Sequence, residues 1–174
     1  MNAPLPHRGL RGFTLIEMTV VIALSAVVTL GIVAFYLSAQ GTWTDASSQA
    51  VAQRDGTTLL DAISTRARGA ATAVIVPVAA DPRNSMMVLY DKNVPPNEQA
   101  RFFWDGTDSL IHYADNGPVT GDYDQGPVVQ TKVLRFSCSL MPGLAIVSVD
   151  SLRLVALGGQ IVTLTSSYGL SNQP

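Results

Sequence analysis

The polar and apolar positions along this chain change character twice. From Met18 to Leu37 there are twenty residues without a charge, apolar on every side of a helical projection. Past Leu37 the pattern becomes amphipathic. Trp43, Ala46, Ala50, Leu59, Leu60, Ile63 and Ala67 recur at three- and four-residue steps, with Asp45, Gln49, Arg54, Asp61 and Arg66 between them. One helix from Phe13 to about Arg68 accounts for both stretches, with core packing as the role of the apolar stripe. Gly41 and Gly56 are its weak points, and Gly69 is a natural terminator.

From Ala71 onward the pattern is β. Short runs at Ala73–Val76, Met86–Tyr90, Arg101–Trp104 and Leu110–Tyr113 are followed by Val128–Phe136, Leu144–Val149, Leu152–Leu157 and Ile161–Thr165. Asp105-Gly106 and Gly158-Gly159 carry hairpin-turn chemistry. A long helix laid across a mostly antiparallel sheet follows, an α+β fold. The segments are 1–12, a basic leader; 13–39, a spanning helix; 40–70, an amphipathic continuation; and 71–174, a β-rich head.

Composition sharpens this picture. The chain has 174 residues, enough for one core. It is 47% hydrophobic and 14% charged, and much of that skew sits between Phe13 and Ala39. Nine of the eleven basic residues lie beyond residue 12, against thirteen acidic ones, so no nucleic-acid surface is expected. Cys138, the single cysteine, excludes an internal disulfide and reads as a buried strand residue, with an intermolecular bridge or reactive thiol as the alternative.

Twenty uncharged residues span a bilayer core of roughly 30 Å as a helix. Arg8 and Arg11 precede them and no basic residue follows until Arg54, which holds the N-terminus in the cytoplasm and sends the rest across. A secretory signal has a shorter apolar core and a small-residue cleavage site, to which Gln40–Asp45 is a weak match. A plain anchor leaves Glu17 unexplained. A carboxylate costs at least about 2.5 kcal/mol near the bilayer centre, less towards the interface, and such residues are kept where they meet a partner.

The run Arg11-Gly12-Phe13-Thr14-Leu15-Ile16-Glu17-Met18 resembles the cleavage and methylation motif of type IV prepilins and type II secretion pseudopilins. The resemblance implies that a prepilin peptidase cuts between Gly12 and Phe13 on the cytoplasmic side and methylates the new amine of Phe13. Residues 1–12 are then lost and the apolar helix is retained for a filament core. Glu17 becomes the fifth residue of the processed chain, the glutamate that pairs with a neighbouring subunit's N-terminal amine. Charges costly alone in lipid are tolerable together. The implied partners are the peptidase, other pilin or pseudopilin subunits, an inner-membrane assembly platform and lipid. The implied location is the bacterial inner membrane, with the head periplasmic, and then a filament.

Two departures from the family pattern favour a minor pseudopilin or minor pilin, acting at the tip or in initiation. Met18–Leu37 contains no proline, and one cysteine cannot close a C-terminal loop. The order of Arg101–Tyr113, Lys132–Phe136 and Ser151–Val155 is also similar to that of minor pseudopilin heads. The rivals are a filament-borne adhesin or DNA/substrate receptor, which an exposed basic or aromatic patch would favour, and a membrane-anchored enzyme, which needs a pocket of convergent titratable groups.

No nucleotide loop, nucleophile elbow or metal spacing frames the Ser, His and Asp residues, so no enzyme and no cofactor are expected. His7 falls in the leader and His112 in a strand. The one metal candidate is calcium at Asp122-x-Asp124-x-Gly126, which supplies part of a carboxylate loop but lacks the closing Glu of an EF-hand. A solvated Asp/Gly turn is the ordinary alternative.

Overall fold

The computed structural model describes residues 12–79, 81, 83–92, 97–104, 109–115, 124–141 and 143–170, with only the backbone of 124–126. Helix α1 runs Leu15–Gly69 without a break. Gly41 and Gly56 do not interrupt it: a glycine costs about 1 kcal/mol against alanine, too little to stop a helix with ample support on both sides. The helix carries Arg66 and Arg68 in its last turn, favourable for the macrodipole, and ends at Gly69 as the sequence predicts.

The chain forms two compact units, Met1–Trp43 and Thr44–Pro174. In the first, every residue of α1 is exposed, large apolar side chains included. In the second, α1 buries Ser48, Ala52, Gly56, Leu59, Ile63 and Ala67, at steps of three and four. This corrects the upper end of the predicted stripe, because Trp43, Ala46 and Ala50 are exposed. The buried face is the one that runs back from Leu59 through Gly56, Ala52 and Ser48, which leaves Ala46 and Ala50, though equally small, on another side of the helix, and at Gly56 the sheet comes close. A Cβ built on Gly56 would collide with Leu164 Cδ1 and stand 2.8 Å from Leu154 Cδ1. Ser48 Oγ lies 2.6 Å from the Leu157 carbonyl oxygen, a polar contact at the same surface.

The fold is α+β, with two antiparallel sheets where the sequence predicts one. The first is a meander of β1 (Thr72–Pro77), β2 (Ser85–Tyr90), β3 (Glu98–Trp104), β4 (Ile111–Asp115) and β5 (Asp124–Pro127). The second is β6 (Val133–Met141), β7 (Ile146–Val155) and β8 (Ile161–Gly169) in that order.

Two predicted runs merge and one is cut. Leu144–Val149 and Leu152–Leu157 form the single strand β7, whose register against β8 shifts between Val149 and Leu152. That bulge lets Val149 and Leu152, three apart, both face inward. Val128–Lys132 is not strand; β6 starts at Val133. Gly158 and Gly159 make the predicted β7–β8 turn, both at positive φ (101° and 82°), a conformation glycine adopts without a Cβ penalty. Asp105-Gly106 lies outside the described residues.

Between α1 and the sheets sits one core, with Leu59, Ile63, Met87, Phe102, Phe136 and Leu152 fully buried. Each side chain of this size contributes about 1.5–3 kcal/mol by leaving water. The edge of β6 runs against β1 and β2. There the Phe136 amide donates to Asn84 Oδ1 (2.7 Å) and the Cys138 amide to Ser85 Oγ (3.2 Å), so side chains at the head of β2 take up the amides that β6 turns away from β7.

Candidate functional site

Gly12 and Phe13 precede the helix and are exposed, Phe13 to 82%, with nothing within 4 Å of a Cβ built on Gly12. Thr14 then starts the helix. Its carbonyl accepts from the Met18 amide (3.3 Å), the first helical hydrogen bond. The Thr14 amide donates to Glu17 Oε2 (3.0 Å), the Thr14 hydroxyl donates to the same oxygen (3.1 Å), and the Glu17 amide donates to Thr14 Oγ1 (3.3 Å). This is a capping box, in which two helix-start amides are satisfied reciprocally. Thr14 is therefore a site residue that reading Glu17 alone overlooks, although Thr14-x-x-Glu17 is a sequence-level signature. Both bonds from Thr14 fall on Oε2. A carboxylate accepts on both oxygens, so Oε1 keeps capacity for a further donor.

Downstream, two threonine hydroxyls in the apolar stretch turn back onto the helix. Thr19 Oγ1 donates to the Leu15 carbonyl (2.9 Å) and Thr29 Oγ1 to that of Ser25 (2.8 Å). Such back-bonding satisfies a hydroxyl where lipid offers no partner. Residues 15–39, at about 1.5 Å each, reach about 37 Å against about 30 Å of hydrocarbon. The helix is long and apolar enough to cross a membrane.

Residues 8–33 match the family model of the prokaryotic N-terminal methylation motif. This chain carries a prepilin-type motif. The match takes in Gly12, Phe13, Thr14 and Glu17 and ends within the apolar helix; it indicates a pilin- or pseudopilin-type subunit, consistent with anchoring in a membrane, and suggests a structural role. No curated protein and no solved structure shows significant similarity to the chain.

The head places the other candidates. Asp122 lies outside the described residues, and Asp124 enters only through its backbone in β5, paired with Ala114. Among the described residues no group of three or more His, Cys, Asp or Glu is placed to hold a metal ion. Asp115, at the start of the acidic stretch, is held by Arg66 at 2.9 Å. Arg66 also lies 5.5 Å from the centre of the Tyr113 ring. Burial pushes the Tyr113 phenol up to about 12, against the opposing pull of the Arg66 guanidinium. His112 is buried in β4 and stacks on Phe103 at 5.5 Å; His7 lies outside the described residues.

Cys138 is 8% exposed in β6, and burial pushes its thiol well above the ordinary range. A thiol kept protonated and covered is a poor nucleophile. A recess of about 990 Å³ opens between Thr44–Thr58 of α1, residues 128–132 and the β7–β8 turn. Its charged side chains are Arg54, Asp55 and Lys132, and Asp55 accepts a hydrogen bond from Thr131.

Proposed function

We propose that this protein is a minor pseudopilin or minor pilin, a structural subunit of a type II secretion or type IV pilus-like filament that acts at the tip or in initiation. One observation carries the reading: Glu17, the charge at the mouth of the exposed apolar stretch of α1, is fixed by Thr14 inside a matched methylation motif. Prepilin peptidase cuts between Gly12 and Phe13 and methylates the Phe13 amine. Gly12 suits the cut because a residue without a Cβ lets the extended backbone enter a protease site. The apolar helix first lies in the inner membrane, N-terminus inside, and then packs with other subunits delivered by an assembly platform.

Glu17 Oε1 meets the N-terminal amine of a neighbouring subunit during that packing. Two opposite charges brought together in an apolar medium offset each other's desolvation, whereas either alone is expensive. The absence of proline in Met18–Leu37 and the single cysteine support a minor over a major subunit.

The test is to express the full chain with its cognate prepilin peptidase and determine the N-terminus and mass of the membrane-extracted product. A chain that starts at Phe13 and carries one added methyl is expected. A product still starting at Met1, or cut beyond the apolar segment, overturns the reading.

A further inference from the structure

The two sheets have four outer strands, and three of them are blunted. β1 ends in Pro77 and lies against β6. β5 is four residues long and ends in Pro127. β6 carries Arg135, and its outward amides at Phe136 and Cys138 are taken by Asn84 and Ser85. Proline, shortness, charge and cover are the devices by which proteins stop a sheet edge from recruiting another strand.

Among the described residues β8 has none of them. It runs nine residues, Ile161-Val162-Thr163-Leu164-Thr165-Ser166-Ser167-Tyr168-Gly169, with no charge and no proline. Among the described residues it pairs with β7 alone, and Ile161, Thr163, Thr165 and Ser167 are exposed along its length. Among the described residues no backbone bond reaches β8 from outside its own sheet. At about 3.4 Å per residue it presents roughly 30 Å of open edge.

We infer that β8 is a pairing edge for a second copy of this chain, the two β8 strands joining antiparallel about Thr165 into one six-stranded sheet. The strand is complementary to itself in that register. Val162 faces the other copy's Tyr168, a β-branched residue against an aromatic ring, and Thr163 faces Ser167, a hydroxyl pair; each occurs twice by symmetry. No like charges meet, because the strand has no charge. The face carrying Val162, Leu164 and Tyr168 is already partly buried against its own core, so the added strand continues an apolar surface. The inference concerns the head alone and does not rest on N-terminal processing.

The test uses the full chain in detergent, uncleaved or processed. Facing residues in an antiparallel pair stand about 4.5–5.5 Å apart at Cα, within disulfide reach. Thr165→Cys is expected to form a disulfide-linked dimer under mild oxidation at least about tenfold faster than Lys92→Cys, an exposed position off the edge, with wild type as the control for Cys138. Thr165→Lys, which sets two like charges opposite each other, is expected to leave a folded monomer. In unmodified protein, backbone amides of Ile161–Gly169 are expected to exchange more slowly as protein concentration rises.

Equal cross-linking rates for Thr165→Cys and Lys92→Cys overturn the proposal, as does exchange at β8 that is independent of concentration. Protection of β8 that appears only when another protein is added, with Thr165→Cys remaining uncross-linked, likewise overturns self-pairing and assigns the edge to a different strand.

Discussion

From Leu15 to Trp43 every residue of α1 is exposed, whereas between Thr44 and Gly69 the same helix buries Ser48, Ala52, Gly56, Leu59, Ile63 and Ala67. The two stretches share a backbone conformation and differ in where their apolar surface goes. The second stretch finds its cover within the chain, in β7, β8 and the core they line. The first exposes Leu15, Ile16, Ile22, Leu24, Leu30 and Phe35, a contiguous apolar surface consistent with anchoring in a membrane. Helicity therefore says little about which stretch is covered within the chain and which is left exposed. The destination of the side chains decides it.

The largest expected effect falls on the head. Phe136→Ala removes a fully buried ring and should cost about 3–5 kcal/mol of head stability, read as a lowered unfolding midpoint, while membrane association of the chain is unchanged. Val27→Lys is the mirror experiment. A charge near the middle of the apolar stretch should oppose insertion by about 2.5–3.5 kcal/mol, read by membrane fractionation, and leave the head's unfolding midpoint where it was. Loss of head stability in Val27→Lys would break the comparison.

Two glycines of one helix give the sharpest contrast. Gly56→Ala places a Cβ against Leu164 and Leu154 and should destabilise the head by about 1–3 kcal/mol through overpacking. Gly41→Ala meets nothing within 4 Å and should stabilise the helix by up to about 1 kcal/mol. Opposite signs in thermal denaturation are the expected result. The same sign at both positions would mean that propensity, not packing, governs Gly56.

The smallest effect is alkaline. The Tyr113 phenol is raised to about 12 in the folded head, so the folded state favours the neutral form. That contribution is fully present below the ordinary tyrosine value near 10 and is lost as pH rises through about 12. In an absorbance titration Tyr113 should ionise late, and Tyr113→Phe should remove that late component.

Much of the N-terminal motif and apolar stretch was legible because its signals are local. Charge-free length, flanking arginines, Gly12 and Glu17 are read without knowing any contact, and the capping partner Thr14 lies only three residues from Glu17. The helix, its end at Gly69, the turn at Gly158-Gly159 and the strand-forming runs were legible for the same reason: propensity and turn chemistry act over a few residues.

Tertiary structure decided the rest. Which face of α1 is buried depended on where β7 and β8 lie, which covers Ser48, Ala52 and Gly56, leaves Ala46 and Ala50 exposed, and leaves no room for a Cβ at Gly56. The split into two sheets, the bulge that fuses two runs into β7, and the capping of β6 by Asn84 and Ser85 all arise between residues well separated along the chain. No periodicity in a single chain encodes such pairings, because hydrogen-bond partners across sheets are chosen by space and not by sequence distance. Among the described residues the open edge of β8 is visible only against the three edges that are closed.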